Sequence, residues 1–252
     1  MTAPDDLELL KAVEDSLNKR WPEAKIDPSL DRIAALVDAL GSPQLSYPTI
    51  HIGGTNGKTT TSRMIDALMA KLDYRTGRFT SPHLESVLER ISIKGSPISA
   101  SGFVATYNDI ALYLDLIDSR QPHPLSFFEV LTAMAFVAFA EFPVDIGIIE
   151  VGMGGEWDST NVVSPSVSVI TPIGLDHMQY LGESIEEIAK TTRDRVFNNL
   201  IAQLEKEANS HYEAMTSGNK SARGQIKLRK LPNGNYMPEI IDNNGVPLLG
   251  SN

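Results

Sequence analysis

The sequence predicts an α/β protein with a mostly parallel sheet and flanking helices, and three observations carry that reading. Helix-like and strand-like patterns alternate through residues 1–190, the order produced when parallel strands are joined by crossover helices. Val144 to Val151, VDIGIIEV, is short, β-rich and almost uniformly apolar, as a strand buried on both faces has to be. A glycine-rich turn, Gly53 to Gly57, stands between an apolar strand and a helix, where open parallel sheets place their ligand loops.

Leu9, Leu10, Val13 and Leu17 recur at helical spacing and predict an amphipathic helix over Leu7 to Asn18. A second helix follows Pro28, with Leu30, Ile33, Ala34, Val37 and Leu40 facing inward and Gly41 as its stop. Tyr47 to Ile52 reads as a buried strand, and Lys58 to Leu72 as the helix beyond the glycine turn. Short strands fit Arg75–Phe79 and Arg90–Ile93, and helices fit Ala100–Ile117 and Phe127–Phe142. Val167 to Thr171 reads as a strand neighbouring Val144–Val151.

The remainder differs in kind. Residues 1–190 hold 14 Lys+Arg, 26 Asp+Glu and four Asn, whereas residues 191–252 hold 8, 6 and nine. The chain therefore reads as one domain over 1–190 and a divergent, short α+β tail over 191–252. Val196, Phe197, Leu200, Ile201, Leu204 and Ala208 fit an amphipathic helix over Arg193 to Met215, and a Ser/Gly/Asn linker follows at Thr216–Gly224. Ile226, Leu228 and Leu231 before Pro232-Asn233-Gly234-Asn235 predict a hairpin, with a further turn at Asn243-Asn244-Gly245.

With 252 residues, 42% hydrophobic and 21% charged, the composition is that of a soluble globular protein of one or two domains. The absence of cysteine from the sequence excludes a disulfide framework, a thiolate zinc site and a cysteine nucleophile. A formal charge of −10 argues against a nucleic-acid surface, which needs a basic footprint. Met1 to Leu10 is acidic and lacks the pattern of a signal peptide, and the longest apolar stretch, Val130 to Phe142, is too short to span a bilayer. A cytoplasmic protein with neither nucleic-acid nor membrane partners is the expectation.

Gly53-Gly54-Thr55-Asn56-Gly57-Lys58-Thr59-Thr60 is the strongest chemical signal. Glycines let successive backbone N–H groups point at one anion, and the helix N-terminus adds its dipole. The lysine neutralises phosphate oxygens and the next hydroxyl suits Mg²⁺. The spacing departs from the common G-x-x-x-x-G-K-[ST] pattern, because the residue five before Gly57 is Ile52. A glycine-rich turn carrying an exposed lysine is the bland alternative.

Two further constellations follow strands. Glu150-Val151-Gly152-Met153-Gly154-Gly155-Glu156-Trp157-Asp158-Ser159-Thr160-Asn161 places a carboxylate at a strand end, where it faces the ligand crevice and makes Glu150 a candidate Mg²⁺ ligand. A strand-end glutamate is as often solvated or paired. Thr171-Pro172-Ile173-Gly174-Leu175-Asp176-His177 offers His177 to the same metal, although a lone histidine is more often structural. His51, inside a strand, reads as structural; His83, in Thr80-Ser81-Pro82-His83-Leu84, stays open between the two.

With G-T-N-G-K-T, S-P-H-L, E-V-G-M-G-G-x-W-D-x-T-N and D-H-x-x-x-L-G in this order, residues 5–190 resemble the Mur ligase superfamily, and within it the folylpolyglutamate synthase/dihydrofolate synthase family. Arg78-Phe79-Thr80-Ser81-Pro82-His83-Leu84, Glu89-Arg90-Ile91-Ser92-Ile93 and Phe128-Glu129-Val130-Leu131-Thr132-Ala133-Met134-Ala135-Phe136 make the bifunctional actinobacterial type the nearest in look.

The resemblance implies a P-loop Mur-ligase-type central domain that forms amide bonds at the expense of ATP. A dihydropteroate or reduced-folate carboxylate takes the γ-phosphoryl group, and the amine of L-glutamate displaces phosphate. It implies ATP on Gly54, Thr55, Asn56, Gly57, Lys58, Thr59 and Thr60, and Mg²⁺ on Thr59, Ser81, Glu150 and His177. Lys58, Glu150 and His177 would be the catalytic set. The pterin side would lie near Asp27, Pro28 and Ser29, near Phe127 and Phe128, and near Trp157 and Asp158. An aromatic pair such as Phe127–Phe128 is more often core packing.

The chain also departs from that pattern. Glu156 stands where the family has Arg, placing an anion beside a phosphate-rich site. Thr192 stands where the family has a carbamylated lysine that helps hold a second Mg²⁺, and Lys190 is two residues out of register. The family continues into the rest of the ATP domain and a second Rossmann-like domain, so a truncated member is the expectation, with a partner chain to supply the missing domain. Two other readings stand beside the ligase: a non-catalytic ATP-binding or regulatory fragment, and a Mur-type ligase acting on a cell-wall precursor. The S-P-H-L and G-G-x-W-D-x-T-N segments argue against the latter.

Overall fold

Two helices, α1 (Pro4–Asn18) and α2 (Asp31–Ala39), lead into the sheet. The structure is a computed structural model that describes residues 4–22, 29–155, 157–192, 205–206, 208–210, 213, 224–230 and 236–242. The chain divides into two units, Met1–Arg195 and Val196–Asn252.

On α2 the buried side chains are Arg32, Ile33, Leu36 and Val37, while Ala34 is exposed. The inward stripe is rotated from the predicted one because Arg32 has a buried partner, Glu129, whose carboxylate it meets at 3.0 Å. Gly41 ends the helix with φ +79°, a conformation that L side chains resist.

The sheet comprises β1 (Thr49–Gly53), β2 (Thr76–Phe79), β3 (Ile91–Ile93), β4 (Ser96–Pro97), β5 (Ile146–Glu150) and β6 (Val167–Ile170), ordered β4-β3-β2-β5-β1-β6. β5 lies between β2 and β1 and is parallel to both, as its apolar sequence predicts. β6 pairs with β1 rather than with β5. The predicted neighbourhood is thus off by one strand, because β1 carries the phosphate loop and occupies the place beside β5. β3 and β4 add an antiparallel ribbon to β2, and the two-residue β4 is too short to read as a strand in the sequence.

Alternation along the strands sorts side chains between two faces. Ile50, Ile52 and Ile148 meet Ile65 of α3 (Lys58–Lys71) on one face. The larger core, on the other, is built with α1, α2, α4 (Ala100–Asp118) and α5 (Phe127–Glu141). Every residue of α5 from Glu129 to Phe139 is buried, which explains a helix that is apolar nearly all round. The connection β1–α3–β2 runs one way across the sheet on one face. The connection β5–β6, through a 3-10 turn at Ser159–Val162 that packs on α2 and α5, runs the other way on the opposite face. A crevice therefore opens beyond the ends of β1 and β5.

After β6 come a single helical turn, α6 (Met178–Leu181), and helical residues 185–192, which the sequence reading leaves unassigned. None of the helices among the described residues is long and apolar enough to cross a membrane.

In the second unit, β7 (Gln225–Lys230) and β8 (Tyr236–Ile241) pair antiparallel, as the hairpin pattern predicts. Residues 205–206, 208–210 and 213 are helical. Glu205 and Asn209, one helical turn apart, take the β7 backbone: Ile226 N–H donates to Asn209 Oδ1 at 2.7 Å and Leu228 N–H to Glu205 Oε1 at 2.7 Å. The rest of the expected Arg193–Met215 helix, most of the linker and the turns at Pro232–Asn235 and Asn243–Gly245 lie outside the described residues.

Gly77 of β2 lies under the Phe139 ring, where an added Cβ would come within 2.6 Å of ring carbon. Gly77→Ala is expected to destabilise the fold by about 1–3 kcal/mol, as overpacking does, and chemical denaturation measures it; unchanged stability would mean that α5 moves freely on the sheet.

Candidate active site

Four parallel strands end at one edge, and each of the motifs leaves from it. β1 runs into the glycine loop and β5 ends on Glu150; β2 leads to Ser81 and β6 to Thr171–His177.

The glycine loop is shaped by contact with the segment after β6. Gly54 has φ +132°, and a Cβ there would fall 2.2 Å from Thr171 Oγ1, so backbone packs directly on side chain. The N–H groups of Thr55 and Asn56 both donate to the Pro172 carbonyl at 3.1 Å. Thr55 Oγ1 accepts from Gly174 N–H at 3.1 Å. Gly54, Thr55 and Asn56, three of the seven residues expected to hold ATP, are thus partly committed to the neighbouring loop. Gly57, at φ +83°, caps α3, whose first amides have no acceptor within the helix. Lys58 folds back so that Nζ donates to the Gly54 carbonyl at 2.8 Å.

Thr59, on the first turn of α3, donates its hydroxyl to Glu150 Oε1 at 2.8 Å. Glu150 is 1% exposed, and its Oε2 is buried without a hydrogen-bond partner. Burial pushes its carboxyl above the ordinary range, opposed by the Thr59 hydroxyl, the Lys58 charge, the Ser81 amide and the Arg78 charge. A buried, under-coordinated carboxylate oxygen beside a hydroxyl is a donor set of hard oxygens and fits a magnesium ion. His177 does not join it: half-exposed, with φ +48° at the start of α6, its Nε2 lies 3.8 Å from Asp176 Oδ2. Among the described residues no three His, Asp or Glu side chains converge on one point. Thr192 is buried and donates its hydroxyl to the Ile188 carbonyl at 2.9 Å, close to Gly53 at the mouth of the loop.

Of the residues expected on the pterin side, Asp27 and Pro28 lie outside the described residues, as does Glu156. Ser29 accepts the Asp31 amide at 3.0 Å ahead of α2. Phe127 and Phe128 open α5, which a capping box of Ser126 and Glu129 begins. Phe128 is partly buried and packs inward: its ring is centred 5.7 Å from Phe79, and a Cβ on Gly152 would sit 2.6 Å from its Cζ. Phe127 lies beneath the Arg90 guanidinium at 5.1 Å, and Arg90 Nε donates to His83 Nδ1 at 2.9 Å. Trp157 is 42% exposed. Asp158 is buried; it accepts the Met153 amide at 2.8 Å, the Thr160 amide at 3.0 Å and the Thr160 hydroxyl at 2.5 Å. A substrate group reaching this carboxylate would have to share or displace the Met153 amide.

Sequence reasoning missed the polar pairs that hold these pieces. Arg78 on β2 donates to Asp66 of α3 at 2.9 Å, and to Ser92 of β3 at 3.0 Å. Arg32 ties α2 to the start of α5 through Glu129. The available signal was a charged residue inside each amphipathic pattern, which by itself says only that a partner is needed.

A parallel sheet whose strand ends carry a glycine loop, a following lysine and a buried carboxylate defines the class of phosphate-loop α/β domains. Residues 52–227 match the Mur ligase middle domain, and the chain belongs to this family. The match continues past residue 190, beyond the reach of the sequence motifs. Over 193 residues the chain is 58% identical to the dihydrofolate synthase/folylpolyglutamate synthase of Mycobacterium tuberculosis, covering 74% of this chain and 40% of that protein. It is similar to M. tuberculosis folylpolyglutamate synthase complexed with ADP (TM-score 0.70, 43% identity), covering 93% of this chain and 55% of that one. It is also similar to a bifunctional folylpolyglutamate synthase/dihydrofolate synthase with Mn, AMPPNP and L-glutamate bound (TM-score 0.64, 29% identity), covering 74% of this chain and 43% of that one. The chain thus spans about half the length of these relatives or less.

Buried His51 has its pKa lowered from 6.5 to about 4 because burial disfavours the charged ring. Above pH 6.5 it is neutral whether folded or not; between pH 6.5 and 4 only the unfolded chain takes the proton, so stability falls as pH falls. His51→Gln is expected to remove this acid loss, on the order of 3 kcal/mol, in denaturant titrations at pH 7 and pH 4; identical pH slopes for both proteins would contradict it.

Proposed function

We propose that the chain binds ATP and Mg²⁺ and belongs to the catalytic machinery of an amide ligase that adds L-glutamate to dihydropteroate or a reduced folate. The observation that carries this reading is the Thr59–Glu150 pair, with one carboxylate oxygen left free beside a glycine loop and its lysine. The ligands of the similar structures, a nucleotide, Mn and L-glutamate, support it, as does the name of the relative at 58% identity.

In this reaction an oxygen of the substrate carboxylate attacks the γ-phosphorus, and the bond to the β–γ bridging oxygen breaks, leaving ADP and an acyl phosphate. The glutamate amine then attacks the acyl carbon, phosphate leaves with the electron pair of the broken bond, and the amine loses a proton to solvent. Little of this calls for a protein nucleophile; it calls for positioning and for stabilisation of spreading negative charge. Lys58 Nζ exchanges the Gly54 carbonyl for phosphate oxygens, and the first amides of α3 add N–H donors. Thr59 and Glu150 would hold the magnesium ion, with Ser81 and His177 as further candidates that a bound nucleotide would have to bring in. Mg²⁺, when bound, neutralises charge on the phosphate oxygens. Asp27, Pro28 and Ser29, with Phe127 and Phe128 and with Trp157 and Asp158, would make up the pterin side.

Calorimetric titration with AMPPCP and Mg²⁺, repeated with dihydropteroate or tetrahydrofolate present, tests the proposal. Both ligands are expected to bind, and Lys58→Ala to weaken the nucleotide by roughly tenfold or more, the value of a charge-assisted contact. Glu150→Gln is expected to abolish the gain that Mg²⁺ gives to nucleotide affinity. Nucleotide binding without any pterin binding would support a non-catalytic ATP-binding module instead; phosphate release only with a cell-wall precursor would support the other ligase class. Unchanged affinity in Lys58→Ala would remove the nucleotide site itself.

A further inference from the structure

We propose that His51, which the motifs leave without a role, is a positioning residue that fixes the loop carrying Trp157. The inference rests on reading that loop as the pterin side. His51 sits in the middle of β1, two residues ahead of the glycine loop, and its side chain is almost wholly buried. Its Nε2 lies 2.8 Å from Thr160 Oγ1. Thr160 has one hydroxyl proton and donates it to Asp158 Oδ1. The Thr160 oxygen must therefore accept from His51, which places the ring proton on Nε2.

The chain of donors has a direction and an end. Asp158 gathers the Thr160 hydroxyl and amide on Oδ1 and the Met153 amide on Oδ2, so one carboxylate closes the segment from Met153 to Asp158 into a loop. That loop contains Trp157, the large exposed side chain at the site's edge. Ser159 supplies a second anchor to the helix core. Thr132 spends its own proton on the Phe128 carbonyl at 2.8 Å, so Ser159 donates to it at 3.0 Å. His51 supplies the anchor to the strand that enters the phosphate loop. Loss of the His51 donor leaves Thr160 a buried oxygen without its N–H partner and lets the Thr160–Asp158 unit rotate.

A core-filling role would need only the ring's volume, whereas a positioning role needs the donor. In a Trp21→Phe background, Trp157 is the only tryptophan of the chain's two, and its emission reports the loop directly. His51→Phe is expected to raise the acrylamide quenching constant of Trp157 at least twofold and to lower its anisotropy. His51→Gln, whose amide can donate to Thr160, is expected to stay near the parent, and Thr160→Val to reproduce His51→Phe, which keeps the question answerable if the Phe variant fails to fold. Dihydropteroate affinity is expected to fall about tenfold in His51→Phe, with AMPPCP affinity within twofold of the parent. Quenching that is equal in all variants, or an equal loss in the Gln and Phe variants, overturns the inference, as does an equal fall in both ligand affinities. If the parent binds no dihydropteroate, the pterin reading fails while the quenching series still decides the role of His51.

Discussion

A carboxylate that terminates a strand buried on both faces must be met by donors or by a cation, and the site follows from how Glu150 is met. β5 has no solvent side, so Glu150 can be tolerated only at its C-terminal end, where the sheet opens into the crevice. One oxygen is answered by the Thr59 hydroxyl, which requires the first turn of α3 to stand directly across from it. That placement requires the tight curl from Gly53 to Gly57, and the curl requires Gly54 to lie on Thr171. A single buried charge thereby constrains the ends of β1, β5 and β6 together.

Buried ion pairs extend the same logic outward. Asp66–Arg78 joins α3 to β2, and Arg32–Glu129 joins α2 to α5; both have side chains at least nine-tenths buried. Such pairs add little net stability over apolar packing, yet removal of one partner strands a charge in the interior at a cost of about 3–5 kcal/mol. Their contribution is geometric: each has few orientations available, so the helix tips that bear Thr59 and Phe127 have few as well.

Much of this was legible in the sequence, for identifiable reasons. β5 and α5 were clear because strands and helices buried all round leave unbroken apolar runs, and the glycine loop was clear because its backbone demands particular residues. The order of the strands was less so: Val167–Ile170 reads as a strand, but its pairing with β1 rather than β5 is a property of the whole sheet. Arg32 and Ala34 exchanged places because a salt bridge 97 residues away outranks local periodicity. In the site, Lys58, Thr59 and Glu150 were found where their motifs put them. Phe128 packs on Phe79 and Asp158 fastens its own loop, contacts that the motifs do not reveal because they name residues without saying which way they face. His51 reads as structural from its place inside a strand, but which residue it holds is not legible, because its hydrogen-bond partner comes 109 residues later in the chain.

The enclosure of α5 carries an evolutionary consequence. From Glu129 to Phe139 no position on this helix faces solvent, so substitutions there are screened by the core before they can be tested by any ligand. Ser126, Phe127 and Phe128 lie just ahead of that stretch and are only partly covered. Divergence is thus channelled into the first turn and the loops around it, while the body of the helix is held fixed by its surroundings. Two descendants of this fold could differ widely in preference and still share nearly the same interior.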